Sequence, residues 1–78
     1  MNAVIKRWFE EIGAECNSSI RLMVHDGRYV IYDTDDRSVV VMAMDWDVPL
    51  SSDTLEGLTA LCQRDLDLYD RLEWMNER

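Results

Sequence analysis

Carboxylates are the most abundant reactive groups in this chain. It carries 16 Asp plus Glu against 8 Lys plus Arg, a formal charge of −8 in 78 residues. They recur from Glu10 to Glu77 rather than gathering in a tail. Paired carboxylates can serve as general acid and base or hold a metal, but both roles need companions that this sequence does not place beside them. His25 is the sole histidine and stands next to the Asp26-Gly27 turn, with no Ser or Cys nucleophile motif to serve. Cys16 and Cys62 lack CxxC spacing, which argues for two reduced, small apolar residues rather than a zinc site or a disulfide. The Asp33-Thr34-Asp35-Asp36 run lacks the turn glycine and distal Glu of a calcium loop and reads as a solvated turn. The three glycines are isolated, so no phosphate-cradling loop exists. No metal, no cofactor and no enzymatic activity are expected.

What remains for the acids is electrostatics. So much uncompensated charge costs a small fold stability through self-repulsion. It confers solubility, and it also attracts a basic partner while disfavouring direct contact with DNA, RNA or anionic membranes. Carboxylates three or four residues apart on a helix lie about 5–6 Å apart, and alternate residues on a strand about 6.5–7 Å. Such rows approximate the charge spacing of a nucleic-acid backbone. Asp67 and Asp70, followed by Glu73 or Glu77, form one candidate row. Asp33, Asp35 and Asp36 form a second acidic region, with Asp26 at the other end of the sheet. Asp45 and Asp47 flank Trp46, which is either a core plug or an exposed anchor of the kind interfaces favour.

The elements that must position these groups follow from periodicity. Val4, Ile5, Trp8, Phe9 and Ile12 share one helical face, with Lys6, Arg7, Glu10 and Glu11 opposite. Asn2 is the expected N-cap, Gly13 the expected stop, and Lys6 with Glu10 the expected pair one turn apart. Strands are predicted over Ser19–His25, Arg28–Asp33 and Arg37–Met44. Asp26-Gly27 supplies a two-residue hairpin turn that sets Val24 opposite Tyr29, Met23 opposite Val30 and Leu22 opposite Ile31. One sheet face then carries Leu22, Val24, Tyr29, Ile31, Val40 and Met42, and the other Met23, Val30, Tyr32, Val39 and Val41. Two helices can share one face and leave the second open, or take one face each. Residues 45–50 read as the connection out of the sheet, because Pro49 cannot continue a ladder. Asp53-Thr54-Leu55-Glu56 fits a capping box. A long helix follows, with Leu55, Leu58, Leu61, Cys62, Leu66, Tyr69, Leu72 and Met75 at helical spacing. Asp65 falls inside that apolar arc and needs a donor, with Arg21 and Arg64 the nearest cationic candidates. The expected fold is a single α+β domain: a three-stranded antiparallel meander flanked by an N-terminal and a longer C-terminal helix, in the order α-β-β-β-α.

A short, acidic, single-domain α/β chain without an enzymatic motif resembles the small phage-encoded inhibitors of the anti-CRISPR type. The resemblance rests on size, charge and α/β make-up, and carries over no residue. It implies a protein in the cytoplasm of a bacterial host that occupies the basic nucleic-acid-binding surface of a defence complex. The other reading from the residues is a small adaptor that forms a homodimer, or docks, through the apolar sheet face of Met23, Val30, Tyr32, Val39 and Val41.

Overall fold

A computed structural model describes residues 2–14 and 19–76, with side chains through Leu72. The architecture is mixed α+β, with a helical N-terminus, antiparallel strands and a long C-terminal helix. Helix α1 spans Ala3–Trp8, capped as expected by the Asn2 side chain, which accepts the Ile5 N–H at 2.9 Å. It runs on into a π-helical turn over Phe9–Gly13. Gly13 is the last residue of that turn, with Ala14 as its C-cap. It is also buried, and a Cβ there would stand 2.7 Å from Ile20 Cδ1 and 3.0 Å from the Trp8 ring. The pair one turn apart is Arg7 with Glu11, not Lys6 with Glu10, and Arg7 also reaches Asp70 of the C-terminal helix at 2.8 Å. These two carboxylates favour the charged guanidinium, raising the Arg7 pKa.

Strands β1 (Ile20–His25) and β2 (Arg28–Asp33) form the hairpin in the anticipated register, with Leu22 opposite Ile31, Met23 opposite Val30 and Val24 opposite Tyr29. Asp26 and Gly27 both adopt positive φ, 52° and 75°, the requirement of a two-residue turn between right-twisting strands.

The third strand departs from expectation. The segment predicted as Arg37–Met44 is divided into β3 (Ser38–Val39) and β4 (Val41–Met42). β3 pairs with the Tyr32–Asp33 end of β2, and β6 (Ser51–Ser52) takes the Tyr29–Val30 end. Between them, the Val40 N–H donates to the Ile31 carbonyl and the Ile31 N–H to the Leu50 carbonyl. A bond of 2.8 Å from Leu50 N–H to Val40 C=O closes the gap. The third strand is therefore one ladder interrupted by an excursion over residues 41–49, with Val40 and Leu50 both facing Ile31. The excursion is itself a hairpin, β4 against β5 (Asp45–Pro49). The supposed connection is thus a strand, and Pro49 sits at its end opposite Val41, a position where a missing N–H is tolerated.

Helix α2 covers Leu55–Asn76. Its cap lies one residue later than the sequence suggested. The Thr54 hydroxyl accepts the Gly57 N–H at 3.0 Å, while Asp53 is drawn away to Arg28 of β2. Ile5, Trp8 and Ile12 from the first helical segment, Leu58, Cys62 and Leu66 from α2, and Ile20, Ile31, Met42 and Leu50 form one core. Both helices thus pack their buried residues on the face of Ile31. The buried stripe of α2 is narrower than its apolar arc, since Leu55 and Leu72 are exposed. Cys62 is a free, buried thiol. Cys16, Glu77 and the side chains of Glu73 and Met75 lie outside what is described.

Candidate partner-binding site

The inserted hairpin begins with a buried carboxylate. Asp65, on the inner face of α2, is fully buried. Neither arginine serves it. Oδ2 accepts the Trp8 indole N–H at 2.7 Å and the Ala43 N–H at 2.9 Å, and Oδ1 accepts the Met44 N–H at 2.8 Å. Ala43 and Met44 form the turn between β4 and β5. Three N–H donors on two oxygens offset the desolvation that burying a carboxylate costs. The acid also joins three elements: α1 through Trp8, α2 through its own backbone, and the hairpin through its turn. Burial first, and the neighbouring Asp65 second, push the Cys62 thiol up to about 12. At neutral pH that thiol is not a nucleophile.

From this pinned turn the chain projects Trp46. Met42 pairs with Asp45 and Val41 with Pro49, so residues 46–48 are surplus on their strand and form a bulge. Bulges re-aim side chains. Here the effect is that Val48 turns toward the core while Trp46 is 81% exposed. The open alternative for Trp46 thus resolves toward the surface. Its indole N–H donates to the Ala43 carbonyl at 3.1 Å, so its polar atom is already paired. A partner can cover the ring without orphaning a donor, which removes the usual penalty for burying an indole. Beside the ring, Asp45 accepts the Asp47 N–H at 3.3 Å and lies 3.8 Å from Arg64 of α2. The Asp47 carboxylate is exposed and has no partner among the described residues. An open concavity of about 390 Å³ is bounded by Ala43, Met44, Trp46 and Asp47.

The other acids divide. Asp33 is buried and turns inward, where its Oδ1 accepts the N–H groups of Asp35 at 2.9 Å and Asp36 at 3.2 Å. It builds the turn instead of presenting charge. Asp35 is held by the Ser19 hydroxyl at 2.7 Å, and Asp36 is exposed. On α2, Asp67 accepts from Gln63 at 2.9 Å and Asp70 is tied to Arg7. The helix row is therefore partly spent on internal ties, and Asp36 and Asp47 are the most available of the candidate acids.

The sheet face opposite Ile31 exposes less apolar surface than its sequence implied. Val30 is buried, Tyr32 and Val39 are half-buried, and only Met23 and Val41 stand exposed among the expected residues. Arg21, His25 and Arg28 share that face by alternation along β1 and β2. His25 is exposed as expected, with its ring 5.1 Å from Tyr32 and its Nε2 3.5 Å from Asp26.

Comparison with known proteins returned no match: no protein-family model, no curated protein and no solved structure. Among the described residues no group of three or more His, Cys, Asp or Glu could hold a metal ion. No helix there is long and apolar enough to cross a membrane.

The sequence placed Asp45, Trp46 and Asp47 together but gave no sign of their presentation. The signal lay in two features that read separately as anomalies: an acid inside the apolar arc of a helix, and a proline ending a run with strand propensity. Neither discloses alone that the acid anchors the turn of that run.

Proposed function

We propose that this chain is a non-enzymatic binding protein that docks its 41–49 hairpin on a cationic protein surface. The observation that carries the reading is Trp46: an exposed ring with a satisfied N–H, standing on a bulge between two aspartates in a protein of net charge −8. Trp is a favoured interface anchor, and surrounding negative charge steers association toward Lys- and Arg-rich surfaces. Surfaces of that kind include the nucleic-acid-binding grooves of bacterial defence complexes, where an acidic occupant excludes the nucleic acid. This is the mode of action that the resemblance to anti-CRISPR inhibitors implies.

The test is capture from nuclease-treated bacterial lysate, with the bound protein eluted by salt or by competing nucleic acid. Elution by either is expected, because contacts between exposed charges weaken beyond a Debye length of about 10 Å at 0.1 M salt. Trp46→Ala should weaken capture by roughly 30-fold or more, the loss of about 2 kcal/mol typical of an anchor. Asp45→Asn with Asp47→Asn should slow association. A partner held equally by wild type and Trp46→Ala, and indifferent to nucleic acid, overturns the reading.

A further inference from the structure

Among the described residues, the edge of the sheet remote from the hairpin is unpaired: there β1 pairs with β2 alone. The Ser19 carbonyl accepts the Thr34 N–H, so odd-numbered residues along this strand direct their backbone groups to β2. By the alternation of antiparallel ladders, Ile20, Leu22 and Val24 direct theirs outward. Soluble proteins usually blunt such an edge with charged residues, lysine above all, with proline, a bulge or a covering segment. Ile20–His25 reads Ile-Arg-Leu-Met-Val-His, with Arg21 but no lysine, no proline and no carboxylate. In a chain of net charge −8, this is a strip where two copies can approach without acid facing acid.

The strip also has a projection and a recess. Val24 is 62% exposed near the turn end. At the other end, Phe9, Ile20, Arg21 and Leu22 line an open cleft of about 620 Å³. A two-fold axis through Leu22, perpendicular to the sheet, places Leu22 opposite its own copy and Val24 opposite Ile20. Each Val24 then enters the other copy's cleft. The residue pairs 20–24, 22–22 and 24–20 are those whose outward N–H and C=O groups can be exchanged. A register centred on Met23 instead leaves Ile20 opposite the Asp26 turn. Only the Leu22-centred register uses every outward group of the strand and fills both clefts.

We infer that the chain forms an isologous dimer through antiparallel pairing of β1 with β1 of a second copy, with Val24 of each seated in the Phe9–Ile20–Leu22 cleft of the other. The interrupted third strand lies on the far side of β2, so both Trp46 hairpins stay free at the two outer edges. Such a dimer is bivalent toward any surface that the hairpin engages, but the pairing itself does not depend on that engagement.

Sedimentation velocity of the purified full chain, over a series from about 1 µM to about 1 mM, covers the affinities expected of an interface at the small end of the specific range. The expected result is association to twice the chain mass. Val24→Pro removes an outward N–H that no described residue accepts and a side chain that is mostly exposed beside Tyr29, so far-UV circular dichroism and the thermal midpoint should stay close to wild type while association is lost. Val24→Lys keeps the backbone groups but sets an ammonium against the cleft, and should weaken association at least tenfold. Wild type that stays monomeric through the series overturns the inference and leaves the edge free for a foreign strand. A dimer that survives both substitutions overturns it as well, since it must form elsewhere.

Discussion

Replacing Asp65 by asparagine tests whether the buried carboxylate organises the fold. The side chains are nearly isosteric, so no cavity opens. In the wild type, Oδ2 serves Trp8 and Ala43 and Oδ1 serves Met44. Asparagine can keep its oxygen toward the first pair, but its NH₂ then meets the Met44 N–H at 2.8 Å, donor against donor. One hydrogen bond to a charged group, about 1.5–3 kcal/mol, is lost outright. The other two weaken from charge-assisted to neutral. Partial relief comes from no longer burying a charge. The expected net loss is about 2–3 kcal/mol, out of a total of about 4–12 kcal/mol for a domain this size. Urea unfolding followed by circular dichroism should show a midpoint lower by roughly 2 M, taking a slope near 1 kcal/mol/M. Asp65→Leu should not rescue stability, because the Trp8, Ala43 and Met44 donors stay unpaired. Hydrogen exchange supplies a local readout: the Ala43 and Met44 amides, protected in a turn only by Asp65, should exchange much faster in Asp65→Asn. Stability within about 0.5 kcal/mol of wild type, with those amides still protected, refutes the reasoning.

Two further outcomes follow from the backbone and the thiol. Arg37 holds φ at 56° without the backbone freedom of glycine, so Arg37→Gly should raise stability by about 0.5–1 kcal/mol in the same urea assay. The Cys62 thiol, pushed up to about 12 from an ordinary value of 9.0, makes the folded state bind its proton more tightly than the unfolded chain. Stability from this group is therefore full below about pH 9 and falls as pH rises toward 12, by at most about 1.4 kcal/mol per unit. Unfolding midpoints measured between pH 8 and 11 should fall less steeply in Cys62→Ala than in the wild type.

The hairpin β1–β2 and the two helices were legible because each is specified locally. Asp26-Gly27 fits a two-residue turn, Asn2 caps a helix, and the apolar periods are unambiguous. The third strand was not, because Val39, Val40, Val41 and Met42 suit a continuous strand equally well. What divides that run is a set of distant partners: Ile31 accepts from Val40 and donates to Leu50, and Asp65 claims the N–H groups of Ala43 and Met44. Both lie far from residue 41 in sequence. Gly13 was legible only in part: the helical turn ends there, but its second role, clearance for Ile20 and Trp8, is visible only once the helix meets the sheet.

The same distinction separates the acids. A carboxylate on a turn or an outer helix face looks available from its neighbours in sequence, yet Asp33 closes its own turn and Asp70 bridges to Arg7. Asp65, inside the apolar arc, is fully buried and still shapes the exposed hairpin. By fixing Ala43 and Met44 it sets the start of the bulge, and the Ala43 carbonyl in turn holds the Trp46 indole. The charge excess thus has two roles of unequal kind. The exposed acids supply a field that many substitutions would alter only by degrees, whereas one buried acid determines whether the tryptophan that the field surrounds is held in place. If the proposed docking holds, neutralising Asp47 should therefore change how often a cationic partner is met, and neutralising Asp65 should change whether there is an ordered surface to meet.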